Sequence, residues 1–263
     1  MLEPYEVYAI RYGHHERRSS ENFIGGDPHD TPMPLDYYVW AVVGSKRTYI
    51  VDSGFNQAMA QKRGREITRP VADGLGALAI DPARVADLIV THLHYDHAGN
   101  LDLFPAARLH IQDAEVDFAT GRCMCHDTLR HGFEAEDVCT LVRRVYGGSV
   151  QFHDGDQELA PGLSLHRIGG HTKGLQVVRV WTQRGWVVLA SDATHFYRNM
   201  REGRPFPIVY NVADMLDGHR RLLALADSPD HIVPGHDPLV GTRYPPAKKA
   251  LEGIVRLDLE PRG

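Results

Sequence analysis

The chain has 263 residues, with 29 Lys and Arg against 34 Asp and Glu, a formal charge of −5 and 43% hydrophobic residues. That length and apolar content can bury a large core, while the negative balance excludes a general attraction to nucleic acid or to an anionic membrane. No stretch reaches the apolar length of a membrane span, and MLEPYEVYAIRYGHHERRSS lacks the apolar centre of a signal peptide, so a cytoplasmic location is expected. Strands are expected over 5–11, 37–43 and 47–51, the last two joined through Gly44-Ser45 as a hairpin. The intervening 19–34, with several Gly, Pro and Asp, reads as a long loop of the kind that covers a site. Helices follow over 56–62 and 70–79. Asp81-Pro82 then supplies an N-cap and a first-turn proline for a short helix before a strand over 88–91.

Further along, 108–111 reads as a strand, 113–119 as a helix and 121–146 as a helical insert. Strands over 150–153, 163–168, 175–181 and 186–190, a helix over 212–226 and a strand over 231–233 follow. Strands and helices occur twice in this order, which suggests two sheets packed face to face with helices outside, as one domain over 1–263. The three cysteines are expected as reduced thiols. Cys123 and Cys125 in CMCH stand too close for an ordinary loop disulfide, and their spacing is not that of a zinc knuckle with His126.

The run Thr91-His92-Leu93-His94-Tyr95-Asp96-His97 puts three imidazoles and a carboxylate within six residues, directly after the apolar Leu88-Ile89-Val90. On a strand, His92 and His94 share a face while Leu93 turns to the core, and a tight turn then aims Asp96 and His97 at a second position. Four side chains cannot close two metal sites and leave reactive positions open, so further ligands must come from elsewhere. His171 in Gly169-Gly170-His171-Thr172-Lys173-Gly174, Asp192 in Ser191-Asp192-Ala193 and His236 in Pro234-Gly235-His236-Asp237-Pro238 each stand at a strand end beside a small residue. Most other histidines (His14, His15, His29, His126, His131, His153, His219 and His231) read as surface or loop residues. His110 and His166 lie within strands as packed, hydrogen-bonded groups.

THLHYDHAGN, GGHTKG, SDA and PGH in this order, with Tyr49-Ile50-Val51-Asp52-Ser53-Gly54 upstream, resemble the metallo-β-lactamase-fold hydrolase superfamily. Within it, Met33-Pro34-Leu35-Asp36-Tyr37-Tyr38 and the PGHDP ending are most similar to the N-acyl homoserine lactone lactonases. The resemblance implies a four-layer αββα sandwich of two mixed β-sheets, in the α/β class. It implies that His92, His94 and His171 hold one metal, that Asp96, His97 and His236 hold the other, and that Asp192 bridges them, with Asp52 steadying a ligand histidine. In the lactonases a tyrosine three residues after the bridging aspartate helps handle the substrate carbonyl. Here His195 holds that place, with Tyr197 two residues on: either the role passes to His195, or it is lost, or Tyr197 swings in.

Two divalent ions, zinc suiting the mixed N and O donors best, can share a hydroxide at neutral pH. It would attack a lactone carbonyl while Asp96 shuttles the proton that the leaving alkoxide needs. The expected partner is a small-molecule lactone, either an N-acyl homoserine lactone or a catabolic lactone, with no nucleic acid and no membrane; a homo-oligomer is compatible with the sequence. FYRNMREGRPFPIVY contributes Arg198, Arg201 and Arg204, which would favour a carboxylated ring. The competing readings are a thioester hydrolase of the hydroxyacylglutathione hydrolase type and a non-catalytic metal-binding scaffold.

Overall fold

A computed structural model describes residues 2–248 and 251–262. Its strands are β1 (Glu6–His15), β2 (Leu35–Val43), β3 (Thr48–Val51), β4 (Glu66–Ile67), β5 (Asp87–Ile89), β6 (Arg108–Gln112), β7 (Val150–His153), β8 (Gln157–Ala160), β9 (Leu163–Arg167), β10 (Gln176–Thr182), β11 (Gly185–Ser191), β12 (Ile232–Pro234) and β13 (Ile254–Arg256). Its α-helices are α1 (Gln57–Arg63), α2 (Val71–Ala77), α3 (Tyr95–Ala98), α4 (Asp113–Thr120), α5 (Asp127–Arg130), α6 (Ala135–Tyr146), α7 (Tyr197–Arg201), α8 (Val212–Leu225) and α9 (Leu239–Arg243). One sheet runs β13-β1-β2-β3-β5-β6-β7 with β4 added to β1, and the other runs β12-β11-β10-β9-β8. Both are mixed: β3, β5, β6 and β7 are parallel neighbours beside antiparallel β1 to β3, and β12 is parallel to β11 in an otherwise antiparallel sheet.

Alternation along the strands sorts the core into layers. Tyr38, Trp40 and Val42 of β2 meet Leu165, Val178 and Leu189 of the other sheet. Val39 and Ala41, pointing the opposite way, pack under Leu75 of α2, Phe118 of α4 and Leu141 of α6. On the far side, Val177, Val188 and Ile232 pack against Leu222 of α8. The result is the αββα sandwich. Among the described residues no helix is long and apolar enough to cross a membrane.

Local signals act as the sequence suggests at α1, where the Asn56 side chain accepts the Met59 N–H and Gly64 closes the helix at φ 63°. The insert over 121–146 holds a 3-10 turn, α5 and the amphipathic α6. Its Cys123 and Cys125, like Cys139, are free thiols. Two histidines expected on the surface are instead buried. His153 Nε2 lies 3.1 Å from His110 Nδ1, and His219 Nε2 lies 3.1 Å from the Ala193 carbonyl.

Candidate metal centre

The site forms where strands from both sheets end. β5 stops at Ile89, so His92 and His94 lie on an extended segment beyond the strand, still alternating with the fully buried Leu93. The single turn of α3 then presents Asp96 and His97 together. His171 comes from the loop after β9, whose Gly170 (φ 86°) lies so close to α8 that a Cβ there would approach the Met215 backbone at 2.6 Å. Asp192 and His195 follow β11, and His236 follows β12. A Cβ on Gly235 would stand 2.7 Å from Asp192 Oδ1, so the PGH turn needs its glycine for close approach.

All eight side chains singled out from the sequence converge and are buried. His171 Nε2 lies 2.9 Å from His94 Nδ1 and 3.1 Å from His92 Nε2. Asp96 Oδ2 is 3.6 Å from both His97 Nε2 and His236 Nε2. Asp192 sits between the groups, with Oδ1 3.1 Å from His236 and 3.3 Å from His97, and Oδ2 3.3 Å from His171 and 2.9 Å from His195 Nε2. The His195 ring stacks on Phe206 at 3.3 Å and 7°. Tyr197, by contrast, is packed in the layer between the sheets, away from this cluster.

The electrostatics follow from this crowding. Burial and neighbouring imidazoles push His92 and His94 well below the usual histidine range, leaving neutral rings with lone pairs to offer. Burial would also lower His97, but the carboxylates of Asp192, Asp96 and Asp52 override it and hold that ring well above the usual range. Burial likewise lowers His195 to about 3 against the pull of Asp192, so this ring is neutral. Three imidazole nitrogens turned toward one another, together with His97 Nε2 and Asp192 Oδ1 buried without a hydrogen-bond partner, are the mark of a donor set shaped around cations. Imidazole nitrogen and carboxylate oxygen suit divalent metals.

The outer nitrogens are fixed as metal-ligating histidines require. His171 Nδ1 donates to the Ile208 carbonyl at 2.6 Å and His236 Nδ1 to that of Asp36 at 3.0 Å. His97 Nδ1 meets Asp52 Oδ2 at 2.7 Å, while Asp52 also accepts the Thr91 N–H and hydroxyl, each at 2.8 Å.

Glu115 of α4 gave no sign in the sequence. It is fully buried and accepts the Leu93 N–H (2.8 Å), the Thr172 hydroxyl (2.6 Å) and the Gly174 N–H (3.1 Å), clamping the His92–His94 segment to the His171 loop. Glu115→Ala strands three buried donors and should lower unfolding free energy by about 3 kcal/mol or more; an unchanged denaturant midpoint would remove the clamp from the account. Burial raises this carboxyl to about 7, although its three donors pull the other way. A carboxyl raised in the fold adds stability that is complete below its ordinary value of 4.5 and fades as pH climbs through about 7. The melting temperature should therefore fall more steeply over that window than in Glu115→Gln.

One expectation is corrected. Arg198, Arg201 and Arg204 do not line the cleft. Arg198 pairs with Glu202 at 2.8 Å and Asp27 at 3.4 Å, Arg204 with Glu202 at 3.3 Å, and Arg201 lies 4.0 Å from Asp230. The 19–34 loop is tied to the same segment, with Ile24 N–H donating to the Pro205 carbonyl and Asn199 Nδ2 to that of Asn22. The two clefts over the cluster draw on Arg17 and Leu35 at its ends and on no residue between them.

Residues 33–236 match the sequence profile of the Metallo-beta-lactamase superfamily. An N-acyl homoserine lactonase from a Bacillus species is 30% identical over 133 residues, which span 50% of this chain and 48% of that protein, so the chain matches about half the length of such curated relatives. A probable metallo-hydrolase of Mycobacterium bovis is 26% identical over 227 residues, 72% of this chain and 70% of that one. Among solved structures, a quorum-quenching N-acyl homoserine lactone lactonase superimposes with a TM-score of 0.75 at 22% identity over 91% of this chain and 95% of the other. An N-acyl homoserine lactone hydrolase with N-hexanoyl-L-homoserine at its catalytic metal centre does so at 0.75 and 20% over 92% and 96%. With the profile spanning most of its length and the two-sheet fold carrying a His/Asp cluster at one edge, the chain belongs to the metallo-beta-lactamase superfamily.

Proposed function

We propose that residues 1–263 form a single hydrolase domain that opens a small lactone with the help of two divalent cations. His92, His94 and His171 would hold one cation, Asp96, His97 and His236 the other, and Asp192 both. The observation that carries this reading is the Asp192 carboxylate, one oxygen toward the His97–His236 side and the other toward His171. The lactonase names borne by the curated relatives supply the substrate class. Cations held there supply Lewis acidity, which lowers the pKa of water and draws electron density from a carbonyl oxygen.

The chain's own groups do the rest. Asp96, at the cleft wall, takes a proton from the attacking water and delivers it to the ring oxygen as the acyl C–O bond breaks. His195 is neutral and stacked on Phe206, with its one N–H on Asp192 Oδ2 at 2.9 Å; turned from that carboxylate, the N–H would donate toward the oxygen that gains charge. Elemental analysis of protein purified without chelator, followed by proton-release assays over lactones, thioesters and phosphodiesters, tests the whole. Turnover of a thioester or phosphodiester with no lactone hydrolysed would overturn the substrate class. His195→Ala should lower lactone turnover about a hundredfold with metal content unchanged. Loss of metal instead would make it a positioning residue for Asp192, and unchanged turnover would leave it a packing residue.

A further inference from the structure

We propose that Arg65 and Arg17 form a carboxylate-recognition subsite beside the metal cluster, so that the lactone opened by the hydrolase proposed above carries an ionised carboxylate. The cleft over Asp96, Asp192 and His236 is narrow, about 60 Å3, and both guanidiniums line it. Backbone pairing puts them there. β4 pairs antiparallel with β1 through His14 and Glu66, which brings Arg65, one residue before β4, beside His15 and next to Arg17 at the strand's end.

The guanidiniums lining this cleft are unequally neutralised. Arg63 is fully engaged, with Nη2 2.6 Å from Glu134, a hydrogen bond to the His131 carbonyl and its plane over the Tyr95 ring at 4.0 Å. Arg65 has no carboxylate partner among the described residues. Its Nε donates to the Tyr95 hydroxyl at 3.2 Å and its Nη1 to the Arg63 carbonyl at 2.7 Å, which leaves Nη2 free. Arg17, mostly buried, donates from Nη2 to the Glu21 carbonyl at 2.7 Å, and the nearest carboxylate oxygen, also of Glu21, stands 3.8 Å from its Nε. The acids that face the pair are therefore Glu21 and the metal-site Asp96. His15 between them is pushed down to about 4 by burial and by the charges of Arg65 and Arg17, so it stays neutral, adds no further positive charge and meets Arg65 Nη1 with Nε2 at 3.0 Å.

Two cations left short of anions in a slot too small for a bulky group suit a planar carboxylate, which a guanidinium fork meets with two parallel N–H donors. Against this cationic lobe opens a second cleft of about 480 Å3, walled by Phe118, Leu129, Pro207, Ile208 and Tyr210 and sharing His94 and His171 with the first. An apolar substituent on one side of the scissile ester and a carboxylate on the other would fill both.

Calorimetric titration of the full-chain, metal-containing protein with dicarboxylates from malonate to adipate, against monocarboxylates of equal length, reads the subsite without turnover. The best dicarboxylate should bind roughly 10- to 100-fold tighter than its monocarboxylate, and the gain should vanish in Arg65→Gln and shrink in Arg17→Gln. It should survive in part in Arg65→Lys and fully in Arg198→Gln. In turnover, Arg65→Gln should raise KM for carboxylated lactones by a similar factor and leave that for neutral lactones unchanged. Equal binding of mono- and dicarboxylates by wild type, or a gain that Arg65→Gln retains, overturns the subsite even if neutral lactones are hydrolysed. An Arg65-dependent gain in a protein that hydrolyses no ester keeps the subsite and overturns the hydrolase reading. Arg65-dependent preference for a phosphonate over the second carboxylate overturns the assignment to carboxylates.

Discussion

Asp192→Asn is expected to cut metal content from about two ions per chain to one or fewer and to lower hydrolysis about a thousandfold or more, since one lost Lewis-acid centre removes several kcal/mol of transition-state stabilisation. The reason is geometric. Among the described residues Asp192 is the one carboxylate with imidazoles of both groups within 3.3 Å, and burial, which would raise its carboxyl, is overridden by His236, His97 and His195 so that it stays ionised. An amide at that position keeps shape but offers one neutral oxygen and an N–H pair facing imidazole nitrogens. Elemental analysis and progress curves on the same preparation check it together. Two metals and full turnover in Asp192→Asn would reject the shared-ligand role, and loss from one group alone would reassign it to that group.

Much of this His/Asp cluster was legible in the sequence because its side chains sit in short, stiff contexts. His92, His94, Asp96 and His97 fall within six residues after an apolar strand, and His171, Asp192 and His236 each follow a strand beside a glycine, a serine or an alanine. Strand alternation likewise sorted Leu93 inward. What escaped depends on contacts far apart in the chain. Glu115 looks like any acid in the first turn of a helix; its partners Leu93 and Thr172 stand 22 and 57 residues away. Arg198 and Arg204 drew notice as a cluster near Asp192, yet Glu202 between them neutralises both, a local pairing that the i,i+4 spacing of Arg198 and Glu202 could have signalled. Arg65 and Arg17 meet only through the two-residue strand β4, which is too short to leave a period in the sequence.

Asp52→Asn is expected to weaken metal binding by about 10- to 100-fold, with a comparable fall in turnover, while barely changing unfolding free energy. Asp52 sits at φ 62°, one of four described non-glycine residues with positive φ; Ser191, at φ 44°, is another, and its hydroxyl meets that of Thr91 at 2.9 Å. Left-handed backbone at a β-carbon costs about 1–2 kcal/mol and persists where surrounding contacts enforce it. At Asp52 the enforcing contacts are its N–H to the Ile89 carbonyl and its carboxylate spanning Thr91 and His97. Asparagine tolerates the same backbone and keeps an oxygen for the Thr91 N–H, but its NH2 group replaces the oxygen that His97 Nδ1 and the Thr91 hydroxyl meet, so it removes both the charge and the acceptor behind His97. Without that charge the ring loses the partner that fixes its tautomer and strengthens its Nε2 as a donor to a cation. Asp52→Ala would add the backbone penalty and two stranded Thr91 donors, for a further loss of about 2 kcal/mol or more in stability. Metal affinity measured against a competing chelator separates the two. If Asp52→Asn binds metal and turns over as the wild type does, Asp52 serves only the turn, and His97 holds its place by packing alone.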